Sequence, residues 1–183
     1  MAREKHVFDT PEIAHLWAHK TQGDARNQQG NFYFDGDTIY SYGSHFPIAR
    51  HVTGANGAQA VLMTTRGYSS TTSGHISLVR RSIPHGVPVF NTDRVLDHPE
   101  DVITCYRAEL TSALRDAVAP RLRDTTRAKH YDRAVNVVDE ANRYAAFAGL
   151  KETLALPVTG DIETLKETAR KTEAARVKAE VRA

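Results

Sequence analysis

Two dipeptides, Asp35-Gly36 and Asn56-Gly57, constrain the fold of this chain more than any other feature, because each lies between runs of apolar, aromatic and β-branched residues. Pairs of this kind reach the positive φ that a tight hairpin turn requires. The first predicts a β-hairpin over 31–42. With Asp35-Gly36 at its tip, Phe32 falls opposite Ile39 and Tyr33 opposite Thr38. Strand alternation puts Phe32, Phe34 and Ile39 on the core face and Tyr33, Tyr40 and Tyr42 on the other. The second predicts strands over 46–52 and 58–65. Pro47 has no N–H to give to a ladder, so its strand is an edge strand or begins there. A last short strand is expected over 87–90.

The remaining periodicity is helical. Asp9-Thr10-Pro11-Glu12 has the pattern of a capping box with proline in the first turn, and Ile13, Leu16 and Trp17 follow on one face. The stretch 21–30 is polar and reads as a loop. From Asp97 the character is helical throughout. A second capping pattern, Asp97-His98-Pro99-Glu100, opens a stripe of Val102, Ile103, Tyr106, Leu110, Ala113, Leu114 and Ala117. Pro120 breaks it. A second long helix is expected from about 122 to 148, burying Tyr131, Val135, Val138, Tyr144 and Phe147, with Gly149 as its stop. The fold class is therefore α+β. A mostly antiparallel sheet with one or two packed helices occupies 1–93, a helical hairpin 94–157, and a charged, solvated or coiled-coil helix 158–183. That last segment stops mid-pattern, as a fraying helix or the front of something longer would.

Bulk composition excludes several classes. A net charge of +2 does not announce a nucleic-acid binder, so any basic patch must be local. The single cysteine, Cys105, cannot form an internal disulfide and reads as a small buried hydrophobe, which suits a reducing cytoplasm. No apolar run reaches membrane-spanning length, and the N-terminus lacks the apolar core of a signal peptide. The expected location is the cytoplasm, with no membrane partner.

The most chemically pointed stretch is Tyr68-Ser69-Ser70-Thr71-Thr72-Ser73-Gly74-His75, in which the five consecutive residues Ser69 to Ser73 are all serine or threonine. It follows an apolar strand and precedes Ile76, Val79 and Ile83 at helical spacing, so a helix capped by Thr72 or Ser73 should begin inside it. A helix start offers unpaired N–H groups and a positive dipole end. In the binding reading, the amides of Ser73, Gly74 and His75 and the hydroxyls of Ser69, Thr71 and Thr72 hold an anion. Arg66 and Arg80 or Arg81 flank it, and Tyr68 is a further candidate binding residue. In the structural reading, the same hydroxyls only cap the helix and close the turn. No Gly-Lys-Ser/Thr follows, which sets the stretch apart from a nucleotide P-loop.

The segments Tyr40-Ser41-Tyr42-Gly43-Ser44-His45-Phe46-Pro47-Ile48-Ala49 and Gly67–His75 together resemble a pattern in small proteins of phages and related mobile elements. There a "Ser-Tyr … Ile-Ala" strand is coupled to a "Tyr-Ser-x-Thr-Thr-Ser-x-His" turn. The resemblance covers 31–84. It implies a phage or prophage setting in a bacterial cytoplasm, and no reaction.

Other chemistries are weaker. His45, His51 and His75 lie in the motif region, and a metal-dependent nuclease or phosphate-transfer enzyme would use His45 and His75 with a converging carboxylate. His15 and His19 share a helix face without an evident third ligand. Arg50 followed by Ser70-Thr71-Thr72 faintly resembles ADP-ribosyl transferases, but the later Glu100 and Glu109 fall in a helix rather than a strand. No catalytic residue, metal or cofactor is assigned. The expected function is that of a non-enzymatic accessory protein. It binds nucleic acid, a host protein or a phage protein through the hydroxyl turn and the Arg80-Arg81 helix. Tyr33, Tyr40, Tyr42 and Arg94 are further nucleic-acid candidates. A third class is an oligomeric structural component assembled through its C-terminal helices.

Overall fold

The computed structural model describes residues 5–119 and 122–157, so the helix expected over 158–183 lies outside the described residues. The class is α+β. In chain order the elements are α1 (Thr10–Ala18), β1 (Asp24–Arg26), β2 (Phe32–Asp35), β3 (Thr38–Ser41), β4 (Pro47–Thr53), β5 (Gln59–Thr64), α2 (Ser70–Ser82), β6 (Val89–Thr92), α3 (Pro99–Ala117) and α4 (Asp124–Ala148). The strands form one sheet in sequence order, antiparallel up to β5, with β6 parallel to β5 across the α2 crossover. The described chain divides into two compact units. The first runs to Val102 and takes in Phe147–Gly149; the second holds Ile103–Ala146 and the described residues from Leu150.

The core of the first unit follows from alternation. Phe34, Ile39, Ala49 and Met63 are register partners across β2–β5 and form one buried row. Ile13, Ala14, Trp17 and Ala18 of α1 and Val79 of α2 belong to the same apolar cluster. Trp17 is buried, donates its indole N–H to the Asp37 carbonyl at 3.0 Å, and lies 4.3 Å from the His51 ring. The opposite face of β5 and β6 is also apolar: Leu62 and Phe90 are buried, and Phe147 lies 5.2 Å from the Phe90 ring. This burial on both faces is what a parallel pair requires.

Several expectations are corrected. The first hairpin turns at Gly36-Asp37, with Gly36 at φ +53, so Phe32 pairs with Ser41, Tyr33 with Tyr40 and Phe34 with Ile39. Glycine takes the first central position, as a type II′-like loop prefers. The register differs by two residues from the expected one, and an even shift keeps each side chain on its face. Tyr33 and Tyr40 therefore still share a face, stacked at 5.0 Å. Tyr42 does not join them; it leaves the strand at φ +65 and lies near His75 on the α2 side.

The polar stretch 21–30 contains strand β1, with a single buried side chain, Ala25. Its outer edge is covered by the N-terminal segment: Arg26 N donates to His6 O and Phe8 N to Arg26 O. Backbone pairing fixes this strand, which is why an apolar pattern misses it. Asp9 makes no side-chain cap bond. Helix α1 ends instead in a Schellman motif, with Lys20 at φ +50 and Thr21 N donating to Leu16 O. β4 begins at Pro47 and is internal, which satisfies proline's missing donor at the strand start.

In the second unit the α3 stripe is buried as expected. In α4 the buried positions are Ala134, Val137, Ala141, Tyr144 and Ala145, whereas Tyr131 is exposed and Val135 and Val138 are half-buried. Small alanines carry much of that seam, and a search for large residues sets it one position off. Cys105 is partly buried. Asn142 holds Leu154 through two hydrogen bonds of 2.8 and 2.9 Å.

Helix α4 stops at Gly149, which has φ +73. A Cβ there would lie 2.6 Å from Ala55 Cβ. Gly149→Ala should therefore destabilise the chain by about 1–2 kcal/mol or more, read as a lower urea midpoint; an unchanged midpoint would contradict this geometry.

Candidate functional site

The parallel pair β5–β6 ends at Thr64 and Thr92, which are register partners. The segments that follow these two carboxyl ends border a crevice. Here the crevice is bordered by the segments 65–69 and 93–96 and by the β3–β4 loop, all within the first unit.

Hydroxyls stitch the segment after β5 in place. Thr65 N donates to Thr92 O at 2.8 Å, Thr64 Oγ1 to Asp93 O at 2.9 Å, and Arg66 N to Thr64 Oγ1 at 3.1 Å. Arg66 then meets Asp93 in a two-pronged pair, Nε to Oδ1 and Nη2 to Oδ2, both 2.5 Å. Its third nitrogen, Nη1, donates to the Tyr68 hydroxyl at 3.1 Å. Hydrogen bonding to Asp93 first, and to Tyr68 second, pushes the guanidinium pKa further above its ordinary value. The Tyr68 ring also meets Phe46 edge-on, with centroids 4.9 Å apart. Tyr68 is nonetheless 69% exposed. Tyr68 is thus an aromatic residue anchored through its hydroxyl and one ring contact while most of its surface stays open to solvent.

Two cavities flank this ring. One, of about 400 Å³, is lined by His45, Phe46, Pro47, Thr64, Arg66, Tyr68, Asp93, Arg94, Val95 and Leu96. The other, of about 410 Å³, is lined by Ser41, Tyr42, His45, Phe46, Tyr68, Ser69 and Thr72. His45, Phe46 and Tyr68 belong to both. Tyr42 is 55% exposed at the rim of the second. Arg94 is exposed and has no ion-pair partner among the described residues.

Helix α2 starts earlier than its sequence suggests. Ser69, in extended conformation, is the cap and accepts from Thr72 N at 3.1 Å, so Thr72 and Ser73 lie inside the first turn. Ser69 Oγ and Thr72 Oγ1 are 3.0 Å apart, so these two hydroxyls serve the cap. Ser73 N donates to Ser69 O. Gly74 and His75 lie further inside the helix, where each amide faces the preceding turn's carbonyls. The amides expected to hold an anion, those of Ser73, Gly74 and His75, are thus displaced by those of Ser70 and Thr71, which have no partner among the described residues. Thr71 and Ser73 are exposed. Ser69→Ala removes the cap and should cost about 1 kcal/mol of stability, measured by urea unfolding; no loss would show the cap bond to be idle.

The residues proposed from sequence divide into two groups. Arg66, Tyr68, Ser69, Thr71 and Thr72 gather at the start of α2. Arg80 and Arg81 lie in its last turn, roughly 15 Å along the axis at 1.5 Å per residue. They do not flank the hydroxyl turn; Arg80 instead donates to Asn91 Oδ1 at 2.5 Å. Asp93, the partner that fixes Arg66, was not singled out from sequence. The only available signal was its position one residue past an apolar strand.

His75 is buried, shares a 2.8 Å hydrogen bond with Ser41 Oγ, and packs 4.4 Å from the Phe32 ring. His45 is exposed at the cleft. Among the described residues no three His, Cys, Asp or Glu side chains gather as a metal site, and the nuclease reading gains no ligand set from the geometry.

Burial lowers the pKa of His75 and, with a nearby Lys20, that of His51. The unfolded chain, with histidines near about 6.5, therefore takes up protons first as pH falls. This contribution to stability is complete above that value and is lost as pH drops through it towards the folded-state pKa values. The urea midpoint should fall between about pH 7.5 and 5.5, and fall less in His75→Gln; a midpoint independent of pH would contradict the neutral burial.

No family model, curated protein or solved structure matches this chain. Among the described residues, no helix is long and apolar enough to cross a membrane.

Proposed function

We propose that this chain is a non-enzymatic binding protein that takes single-stranded nucleic acid in the cleft at the ends of β5 and β6. The observation carrying this reading is Tyr68, held by Arg66 and Phe46 yet 69% exposed beside Arg94, which has no ion-pair partner among the described residues. Stacking on aromatic faces combined with neutralisation of phosphates is the chemistry of single-strand binding. A duplex keeps its bases stacked on one another and offers nothing to such a ring. Tyr42, exposed on the far side of the same cleft, adds a second face. The amides of Ser70 and Thr71, without a partner among the described residues, add a weak attraction for anions. In the phage or mobile-element setting that the sequence pattern implies, such a protein would act as an accessory factor on transient single strands.

The test is fluorescence anisotropy of a labelled single-stranded oligonucleotide, set against the same sequence as a duplex. The single strand should bind more tightly. Arg94→Glu should weaken it and flatten the dependence of log K on log salt by about 0.7 per lost phosphate contact. Arg81→Glu, at the far end of α2, should do less. Equal retention of duplex and single strand, or none of either at low salt, would remove the proposal.

A further inference from the structure

We infer that the cleft holds two successive nucleotides, one on each side of Tyr68, so that the recognised unit is a dinucleotide step. The inference rests on the single-strand reading proposed above. It is motivated by the division of the cleft: two cavities of about 400 and 410 Å³ share His45, Phe46 and Tyr68 as their common wall. Each falls within the range of roughly 300–1,000 Å³ typical of small-ligand sites, so each suits one nucleotide unit rather than a longer run.

The common wall is built to stay. Phe46 packs with the Tyr68 ring in a T-shaped pair at 4.9 Å, and Arg66, itself paired with Asp93, donates to its hydroxyl. A ring held in this position lies between the cavities, and neighbouring bases that meet it must unstack from one another. Unstacked bases on aromatic side chains are the usual arrangement for single strands. Arg66 is then a positioning residue, because Asp93 already occupies its two-pronged edge. Among the described residues that line the two cavities, the cation left for the backbone phosphate is Arg94, on the wall of one of them.

The two walls differ, which gives the step a polarity. One cavity carries Asp93, Arg94 and Thr64; the other carries Ser41, Tyr42 and Ser69. The first base therefore meets charged groups and the second meets hydroxyls and a tyrosine face.

The experiment is a length series of thymidine oligonucleotides, from the 5′-monophosphate to the hexanucleotide, titrated calorimetrically at about 150 mM salt, where long-range attraction is screened. Affinity should rise by roughly tenfold or more from mono- to dinucleotide, and by clearly smaller factors at each later addition. Tyr68→Ala should erase that first step, and Tyr68→Phe, which keeps the ring but loses the hydroxyl that Arg66 holds, should retain part of it, as Asp93→Asn does. Asp93→Asn should weaken the dinucleotide; if Arg66 were itself a phosphate contact, releasing it should tighten binding instead. A constant gain per nucleotide, a monophosphate bound as tightly as the dinucleotide, a first step that survives Tyr68→Ala, or tighter binding by Asp93→Asn would each overturn the two-nucleotide site while leaving single-strand binding intact. Failure of every length to bind would instead remove the single-strand reading and this inference with it.

Discussion

Tyr68→Ala should weaken single-strand binding by about 5- to 150-fold, the equivalent of roughly 1–3 kcal/mol for loss of one stacked base. The same change should leave folding stability nearly untouched, within about 0.5 kcal/mol, because the ring is 69% exposed and buries little. That separation gives the prediction its force. A residue that served the fold would move both quantities. Tyr68→Trp should bind at least as well, since the larger ring stacks better, provided that Phe46 still packs against it. Anisotropy titrations and urea unfolding of the three proteins provide the comparison. An alanine variant that binds within about twofold of the parent would show that the ring is not a ligand surface.

The largest stability effect is expected at Trp17. Its ring is buried against the core row of β2–β5, its N–H is spent on the Asp37 carbonyl, and it covers His51. Trp17→Ala should cost about 3–5 kcal/mol, a cavity too large for neighbouring side chains to fill. Domains of this kind hold only about 5–15 kcal/mol in total, so the variant should be partly unfolded near physiological temperature. Trp17→Phe should cost less, because it keeps most of the apolar volume and loses the hydrogen bond. Far-ultraviolet circular dichroism against urea reads both. A loss below about 1 kcal/mol for the alanine variant would mean that α1 is not seated on the sheet as described.

The fold was legible where side chains alternate or repeat. The helices α1 and α2, the strands β2–β6 and the stripe of α3 follow from apolar spacing, because burial on one face is what the pattern encodes. Strand β1 was not legible, because Asp24-Ala25-Arg26 is held by backbone pairing to β2 and to His6-Val7-Phe8, and only Ala25 is buried. The hairpin register was two residues off because Gly36 sits first in the turn rather than second. The α4 seam relies on Ala134, Ala141 and Ala145, whose small side chains carry little weight in a periodicity count.

The candidate site was legible only in part. A run of five hydroxyls marks a helix start but does not say which one caps, and any of Ser69 to Ser73 could do so by chemistry alone. The extended conformation of Ser69 decides it. Arg80 and Arg81 are close to the turn in sequence and far from it in space, since a helix separates what it joins. The Arg66–Asp93 pair spans 27 residues and exists only because β6 lies parallel to β5. Long-range pairings of that kind leave no local trace.

The central claim is that single-stranded nucleic acid occupies the cleft around Tyr68. A titration of isotope-labelled protein with a short thymidine oligonucleotide, followed by amide chemical shifts, tests it most directly. The account predicts shifts concentrated at Tyr42, His45, Phe46, Tyr68, Ser70, Thr71 and Arg94, saturating together. Shifts centred on the Arg80-Arg81 end of α2 or on the Tyr33–Tyr40 face, with the cleft residues unmoved, would contradict it.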